Sequence, residues 1–316
     1  GCRVALPPAR ISSTIERSVP ISAVPLADGK IAIGIAETKT SAVGWIYDPE
    51  TAESVKSLSA APGVGDVTFV TPGEPLMLVD RAVSEFAFAR SLSPSLAIGV
   101  GPSGVLRRGD DGATGVLWPI PTGLKVTPPR IAALADGYFV AFRQGGAEGQ
   151  LSTGWVSPTG AALGPLSIVP GAPKSLGTPS VASGAREGIV VFAGRTEKAN
   201  PFRIYAARAR FGQQPSPAVQ LALTEQGGGA IAPALTAFSN GNFLVQWTDG
   251  KVAQYRVHVR LLDASFAPIG DPLLVSAKGT NAGQGTLVMA GKSVVSFFIQ
   301  TTAGHDELWG ASIKCR

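Results

Sequence analysis

Six titratable side chains, Arg143, Arg195, Asp249, His305, Asp306 and Glu307, stand where apolar runs give way to polar loops, and they are the residues placed to do chemistry. His305-Asp306-Glu307 is the densest cluster. A histidine beside two carboxylates has the composition of general acid–base work, and it reads equally as an ordinary solvated loop. A glycan hydrolase or lyase needs two acids about 5–10 Å apart, which Asp249, Asp306 and Glu307 supply only if neighbouring loops converge. With two histidines and two cysteines in the chain, a histidine-rich or thiolate metal centre is excluded. There is no G-x-S-x-G elbow, no P-loop and no S-x-D-x-G-x-x-W box. GDDGATG, around Asp110 and Asp111, lacks the ligand spacing of a calcium loop and reads as a solvated turn. No catalytic residue is assigned, and no cofactor or metal is implied.

The elements that must position these residues repeat. An alternating apolar run, a tight glycine turn, a second run, a polar loop and two further runs recur along the chain, most fully over residues 233–277. The glycine closing the first hairpin marks the register at Gly29, Gly73, Gly137, Gly188, Gly241 and Gly291, with steps of 44, 64, 51, 53 and 50 residues. Wrapping from Gly291 through the C-terminus to Gly29 gives 54, the length of an ordinary repeat. Each unit reads as strands: from Tyr255 to Leu261 aromatic or apolar residues alternate with Arg256, His258 and Arg260, the period of a strand with one buried face. Four strands per unit on a closing ring spell an all-β chain, a single β-propeller of six four-stranded blades over residues 1–316. The second unit is longer, so seven blades stay open if residues 95–121 hide a degenerate unit.

The ends support closure. Residues 309–315, ending at Cys315, align with the third strand of the preceding unit, so the last blade lacks a fourth strand, and residues 9–19 form an unassigned strand at the other end. That strand is expected to complete the blade, with Cys2 across the connecting turn from Cys315 in a disulfide that closes the ring. The alternative is a lipid on Cys2, since Gly1-Cys2 also looks like the tail of a bacterial lipobox, and membrane attachment would then follow. A chain opening this way looks like a processed product. No apolar run approaches the ~18 residues needed to cross a bilayer, and a disulfide points to an oxidising, extracytoplasmic setting: periplasm, outer-membrane surface or secreted.

A net charge of +5 over 316 residues is mild. Arg195, Arg203, Arg208, Arg210, Arg256 and Arg260 form either a basic strip for an anionic glycan or lipid surface, or solvent-facing strand positions that discourage edge pairing. Nucleic-acid binding is not expected, because no aromatics interleave with the basic residues. Trp45 and Trp155 occupy equivalent places in their units and read as packing between blades.

The unit with Gly241, Phe243, Val245 and Trp247, then Arg260, Asp263-Ala264, Pro268 and Gly270, resembles a degenerate repeat common in secreted and surface proteins of myxobacteria and related bacteria. The resemblance is good over 233–277, fair over 131–222 and weak elsewhere, where Phe142, Ala193 or Phe298 stands in place of Trp247. It implies propeller blades and an extracytoplasmic location, and it transfers no functional residue.

Strand alternation puts the tight first turns, with Asp28, Asp136 and Asn240, on one face and the longer loops on the other. The long-loop face comprises 143–150, 170–179, 194–202, 224–232, 249–254, 278–285 and 301–307. Binding is expected there, engaging a protein partner or surface glycan without catalysis. The alternative is a glycan-acting propeller enzyme with carboxylates at the channel mouth.

Overall fold

The computed structural model describes all residues except 16–20, 37–41, 60–66, 71–75, 80–87, 94–95, 102, 109–113, 128, 146–148, 185, 224–228 and 316. Gly73, Asp110, Asp111 and parts of the expected loops 143–150 and 224–232 lie outside the described residues. The chain is all-β. After β1 (Cys2–Ile15), blade 1 is β2 (Ser22–Pro25), β3 (Ile31–Ala36), β4 (Ala42–Tyr47) and β5 (Ser54–Ser59). A hairpin of β6 (Val67–Val70) and β7 (Leu76–Val79) follows. Blade 2 is β8 (Phe88–Ser93), β9 (Leu96–Gly101), β10 (Gly104–Arg108) and β11 (Thr114–Pro119), and blade 3 is β12 (Arg130–Leu134), β13 (Gly137–Gln144), β14 (Gln150–Val156) and β15 (Ser167–Ile168). Blade 4 is β16 (Lys174–Ser183), β17 (Gly188–Arg195), β18 (Arg203–Ala209) and β19 (Val219–Gln220). Blade 5 is β20 (Ala230–Ala237), β21 (Phe243–Asp249), β22 (Arg256–Leu262) and β23 (Pro268–Leu274). Blade 6 is β24 (Asn281–Ala290), β25 (Ser293–Thr302), β26 (His305–Cys315) and, outermost, β1.

Among the described residues there are six four-stranded sheets, the number expected, with the second at residues 88–119 rather than around Gly73. The long second step resolves into two bodies: the β6–β7 hairpin, seated between blades 1 and 2 against β2, β3 and β8, and a complete blade made of residues 88–119. The first strands β12, β16, β20, β24 and β2 follow one another side by side, β6 lies between β2 and β8, and blades 2 and 3 share a core of Ile98, Val105 and Trp118 with Val140 and Phe142, so the ring closes.

The blades are buried on both faces, and period-2 alternation divides each second strand between two neighbours. On β21, Phe243, Val245 and Trp247 pack on Ile189, Val191 and Ala193 of blade 4, whereas Leu244 joins Leu287, Val294 and Phe298 of blade 6. β17 divides likewise, with Val190 and Phe192 meeting Phe139 and Ala141 of blade 3. The third strand β22 has the expected pattern: Val257, Val259 and Leu261 are buried and Arg256 is exposed. Trp155 packs on Phe139 and on Phe211 of the next blade, with ring centroids 5.2 and 6.1 Å apart. Trp45 lies in the core shared by blades 6 and 1. Of the register glycines, Gly241 takes the left-handed turn conformation at φ 85°. Gly188 is required by proximity instead, since a Cβ there would fall 2.2 Å from the Phe139 ring.

β1 supplies the fourth strand of blade 6, and Cys2 is bonded to Cys315 across 313 residues. The strand begins earlier than expected, and the two cysteines face each other as ladder partners rather than across a turn. Pro7 and Pro8 lack the N–H a ladder needs, and the register slips between Leu6 and Ala9, which an outermost strand tolerates. A cysteine sulfur held in a disulfide has no valence for a lipid thioether, so the lipid alternative for Cys2 falls, and attachment through it.

Candidate functional site

The six sequence-selected residues all fall at strand ends on the face of the second-to-third connections. Arg143 lies near the end of β13, Arg195 and Asp249 end β17 and β21, and His305, Asp306 and Glu307 open β26. The segment 301–307 is not a long polar loop. β25 and β26 continue until Thr302 pairs with His305, and Ala303 and Gly304, at φ 50° and 88°, close a two-residue hairpin.

Most of these groups tie down their own blades. Asp249 accepts the Trp247 indole N–H at 3.2 Å and faces His258 Nε2 at 3.3 Å, and His258 stacks on Trp247 with centroids 5.5 Å apart. Glu307, 3% exposed, mirrors this in blade 6: it accepts the Trp309 indole N–H at 3.0 Å and pairs with Arg10 of β1 at 3.3 Å. Asp306 accepts the Thr301 hydroxyl at 2.8 Å, Arg195 donates to Lys198 O at 2.8 Å and lies over the Phe202 ring, and His305 is exposed. The Arg143 backbone N–H donates to Thr127 Oγ1 at 2.9 Å, and burial lowers the pKa of its guanidinium.

Burial pushes the Asp249 carboxyl up, but the His258 hydrogen bond and charge, the Trp247 N–H and the Arg256 charge together hold it below its ordinary value. A depressed carboxyl stabilises the fold above its unfolded pKa of about 3.9, and that contribution is lost as pH falls through the folded value. Asp249→Asn should therefore flatten the acid limb: from about pH 5 down to about pH 2, the range in which a depressed carboxyl loses its contribution, its melting temperature should fall less than that of the native chain in parallel thermal scans. Equal slopes would remove Asp249 from the acid response.

Two residues of the basic strip, Arg208 and Arg260, are spent between blades 4 and 5. Arg208 of blade 4 pairs with Glu187, donates to Ala264 O of blade 5, and lies 4.4 Å over Phe266 and 5.3 Å over Phe243. Arg210 joins Glu187 at 3.2 Å, and Arg260 donates to Ala222 O at 2.7 Å and Gly270 O at 3.0 Å. Arg208→Ala should cost about 2 kcal/mol, the size of a desolvated cation–π contact with charged hydrogen bonds. Arg208→Lys should recover less than half, because a point charge reproduces neither the fork nor the stack. Urea melts check both values.

The central channel expected of a ring of blades is a cavity of about 560 Å³ lined by the first strands β2, β12, β16, β20 and β24, and sequence reasoning chose none of its lining side chains as a candidate site residue. Its polar lining includes Ser22, Arg130, Thr178, Ser180, Gln284 and Thr286, and no carboxylate lines it among the described residues. Three successive first strands break their ladders here: between Leu176 and Ser180, Ile231 and Ala234, and Gly283 and Gly285. The residues in the breaks, Gly177, Ala232 and Gln284, are left-handed at φ 68°, 49° and 46°. In blades 4 and 5 the available signal was a proline within the first strand, Pro179 and Pro233, 9 and 8 residues ahead of Gly188 and Gly241, because proline inside a strand marks a bulge or an edge.

No protein-family model matches the chain, and no curated protein matches it. Among solved structures it is similar to a protein of unknown function from Dyadobacter fermentans, at 13% identity over 100% of both chains and a TM-score of 0.59. It is similar to a lectin of Aleuria aurantia, solved in complex with Fucalpha1-6GlcNAc, at 9% identity over 94% of this chain and 96% of the other, TM-score 0.55. A neuraminidase-like protein of A/little yellow-shouldered bat/Guatemala matches at 10% identity over 99% and 100%, TM-score 0.54. At such identities the likeness is one of fold, a β-propeller shared by otherwise distant proteins.

Proposed function

We propose that residues 1–316 form one extracytoplasmic propeller domain that engages a glycan at the channel mouth and the strand ends around it. The observation that carries this is the channel: about 560 Å³, rimmed by hydroxyl, amide and guanidinium groups on strands bent by bulges. Pockets of a few hundred cubic ångströms with convergent polar groups are the usual form of small-ligand sites. Two propellers of similar shape, a lectin solved with a fucose disaccharide and a neuraminidase-like protein, support a carbohydrate over a protein as the ligand. The disulfide supports an oxidising compartment, and the tie to myxobacterial surface repeats rests on the residues of 233–277.

Non-catalytic binding is preferred because the carboxylates nominated from sequence are occupied: Asp249 and Glu307 each hold a tryptophan indole, and Asp306 holds Thr301. The likeness to a neuraminidase-like protein favours a second reading, an enzyme acting on glycans. One experiment separates the two. The chain is screened on a glycan array, and each bound glycan is then incubated with it and followed by mass spectrometry. Retention of intact glycan supports a lectin-like module, appearance of shortened sugars supports the enzyme, and binding to no glycan rejects both.

A further inference from the structure

Within the glycan reading, on which this step rests, the channel also selects through the main chain that lines it. Residues 177–181 of β16, 231–235 of β20 and 284–287 of β24 line the cavity one after another. A strand presenting a face would line it with alternate residues, so these strands stand edge-on to the channel. Each is the first strand of its sheet and is laddered on one side only among the described residues, which leaves main-chain N–H and C=O groups along the open edge. We infer that this edge recognises the acetamido group of an N-acetylated sugar. The sugar amide N–H donates to a strand carbonyl, a strand N–H donates to the amide oxygen, and the methyl packs on the aliphatic lining of Ile131, Val181 and Ile231. A secondary amide carries one donor and one acceptor, the same pair of groups that a strand edge offers and seeks. All the groups involved are neutral.

The same edges are poor templates for an extended peptide, the other ligand that pairs with main chain. Their ladders break between Leu176 and Ser180, Ile231 and Ala234, and Gly283 and Gly285, and Pro179 and Pro233 have no N–H to give. The Gln284 N–H is already donated to Thr248 Oγ1 at 3.1 Å. Bulges interrupt edge-to-edge pairing, so a run of successive hydrogen bonds finds no continuous partner, whereas a single amide needs one pair. Around that amide, Thr178, Ser180 and Thr286 supply hydroxyls suited to those of the sugar ring. None of the described lining residues is aromatic, so a bare pyranose has no flat ring to stack on and the amide becomes its principal handle.

The test is calorimetric titration of the chain with two matched pairs, diacetylchitobiose against cellobiose and N-acetyllactosamine against lactose, and with the capped peptide N-acetyl-trialanine amide. At least one N-acetylated sugar should bind about ten-fold or more tightly than its partner, the scale of two neutral hydrogen bonds and a buried methyl, and equally well at low and moderate salt. Saturation-transfer NMR of that complex should mark the acetamido methyl more strongly than the ring protons. Ile231→Ala should weaken the N-acetylated sugar about four-fold, the scale of one lost apolar contact, and Thr178→Trp, which fills the channel from β16, should abolish binding. The native titration and the NMR keep the inference testable if either variant does not fold. Equal affinities within both pairs, or saturation confined to the ring protons, overturns the acetamido inference and leaves the glycan reading standing. Peptide binding as tight as the sugar overturns it in favour of an extended strand, and sugar binding unmoved by both variants overturns it by placing the sugar outside the channel. Failure of all four sugars to bind overturns the acetamido inference, and a blank glycan array then overturns the glycan reading with it.

Discussion

Replacing Cys2 and Cys315 together by alanine is expected to lower the melting temperature by about 6–12 °C, on a scale of ~2–4 °C per kcal/mol for large domains, without unfolding the ring at room temperature. The bond closes a loop spanning 313 residues, for which the chain-entropy relation gives a ceiling of about 5–6 kcal/mol. Less than the ceiling is expected because the bond does not close the ring alone. β1 is laddered to β26 from Cys2 opposite Cys315 through to Ile15 opposite Asp306. Ile11 and Ile15 are buried in the core between blades 6 and 1, and Arg10 reaches Glu307 across the same ladder. About 3 kcal/mol is therefore the expected loss, roughly half the ceiling. Reductant should lower the native melting temperature by the same amount and leave the double variant unmoved. An unchanged midpoint in the variant would mean that β1 closes the ring by itself.

The closure was legible because it is arithmetic: the wrap from Gly291 to Gly29 has repeat length, and the last unit stops at its third strand. Strand β22 was legible because Val257, Val259 and Leu261 alternate with charged residues along a single strand. What depends on two blades at once was not. Nothing near Arg208 in sequence announces Phe243, Phe266 or Ala264 as its partners. The hairpin at Ala303-Gly304 was read as a loop because it lacks the Asn-Gly or Asp-Gly signature of two-residue turns, while the flanking strands run on through polar residues. The lining of the channel was hidden for a related reason. Thr178, Ser180 and Thr286 are ordinary strand residues until a ring gathers five first strands around one axis.

The same dependence on neighbouring blades sets the expected cost at Trp247. It is 1% exposed on β21, packed on blade 4 through Ile189, Val191 and Ala193, stacked on His258, and hydrogen-bonded to Asp249. Trp247→Ala should cost about 4–5 kcal/mol: the upper part of the range for deleting a buried aromatic, because it also leaves the Asp249 carboxylate short of a donor. Trp247→Phe isolates the second contribution. Phe142 and Phe298 occupy the matching places in blades 3 and 6, both fully buried, so a slot of this kind accepts a benzene ring. What phenylalanine lacks is the indole N–H. Its cost should be about 1–2 kcal/mol, and much of it should disappear when Trp247→Phe is combined with Asp249→Asn, whose neutral amide tolerates the missing donor better. Urea melts of the two single variants and the pair give the coupling directly. Additive losses would show that Trp247 acts only as volume, and a loss below about 2 kcal/mol for Trp247→Ala would place the principal joint between blades 4 and 5 elsewhere.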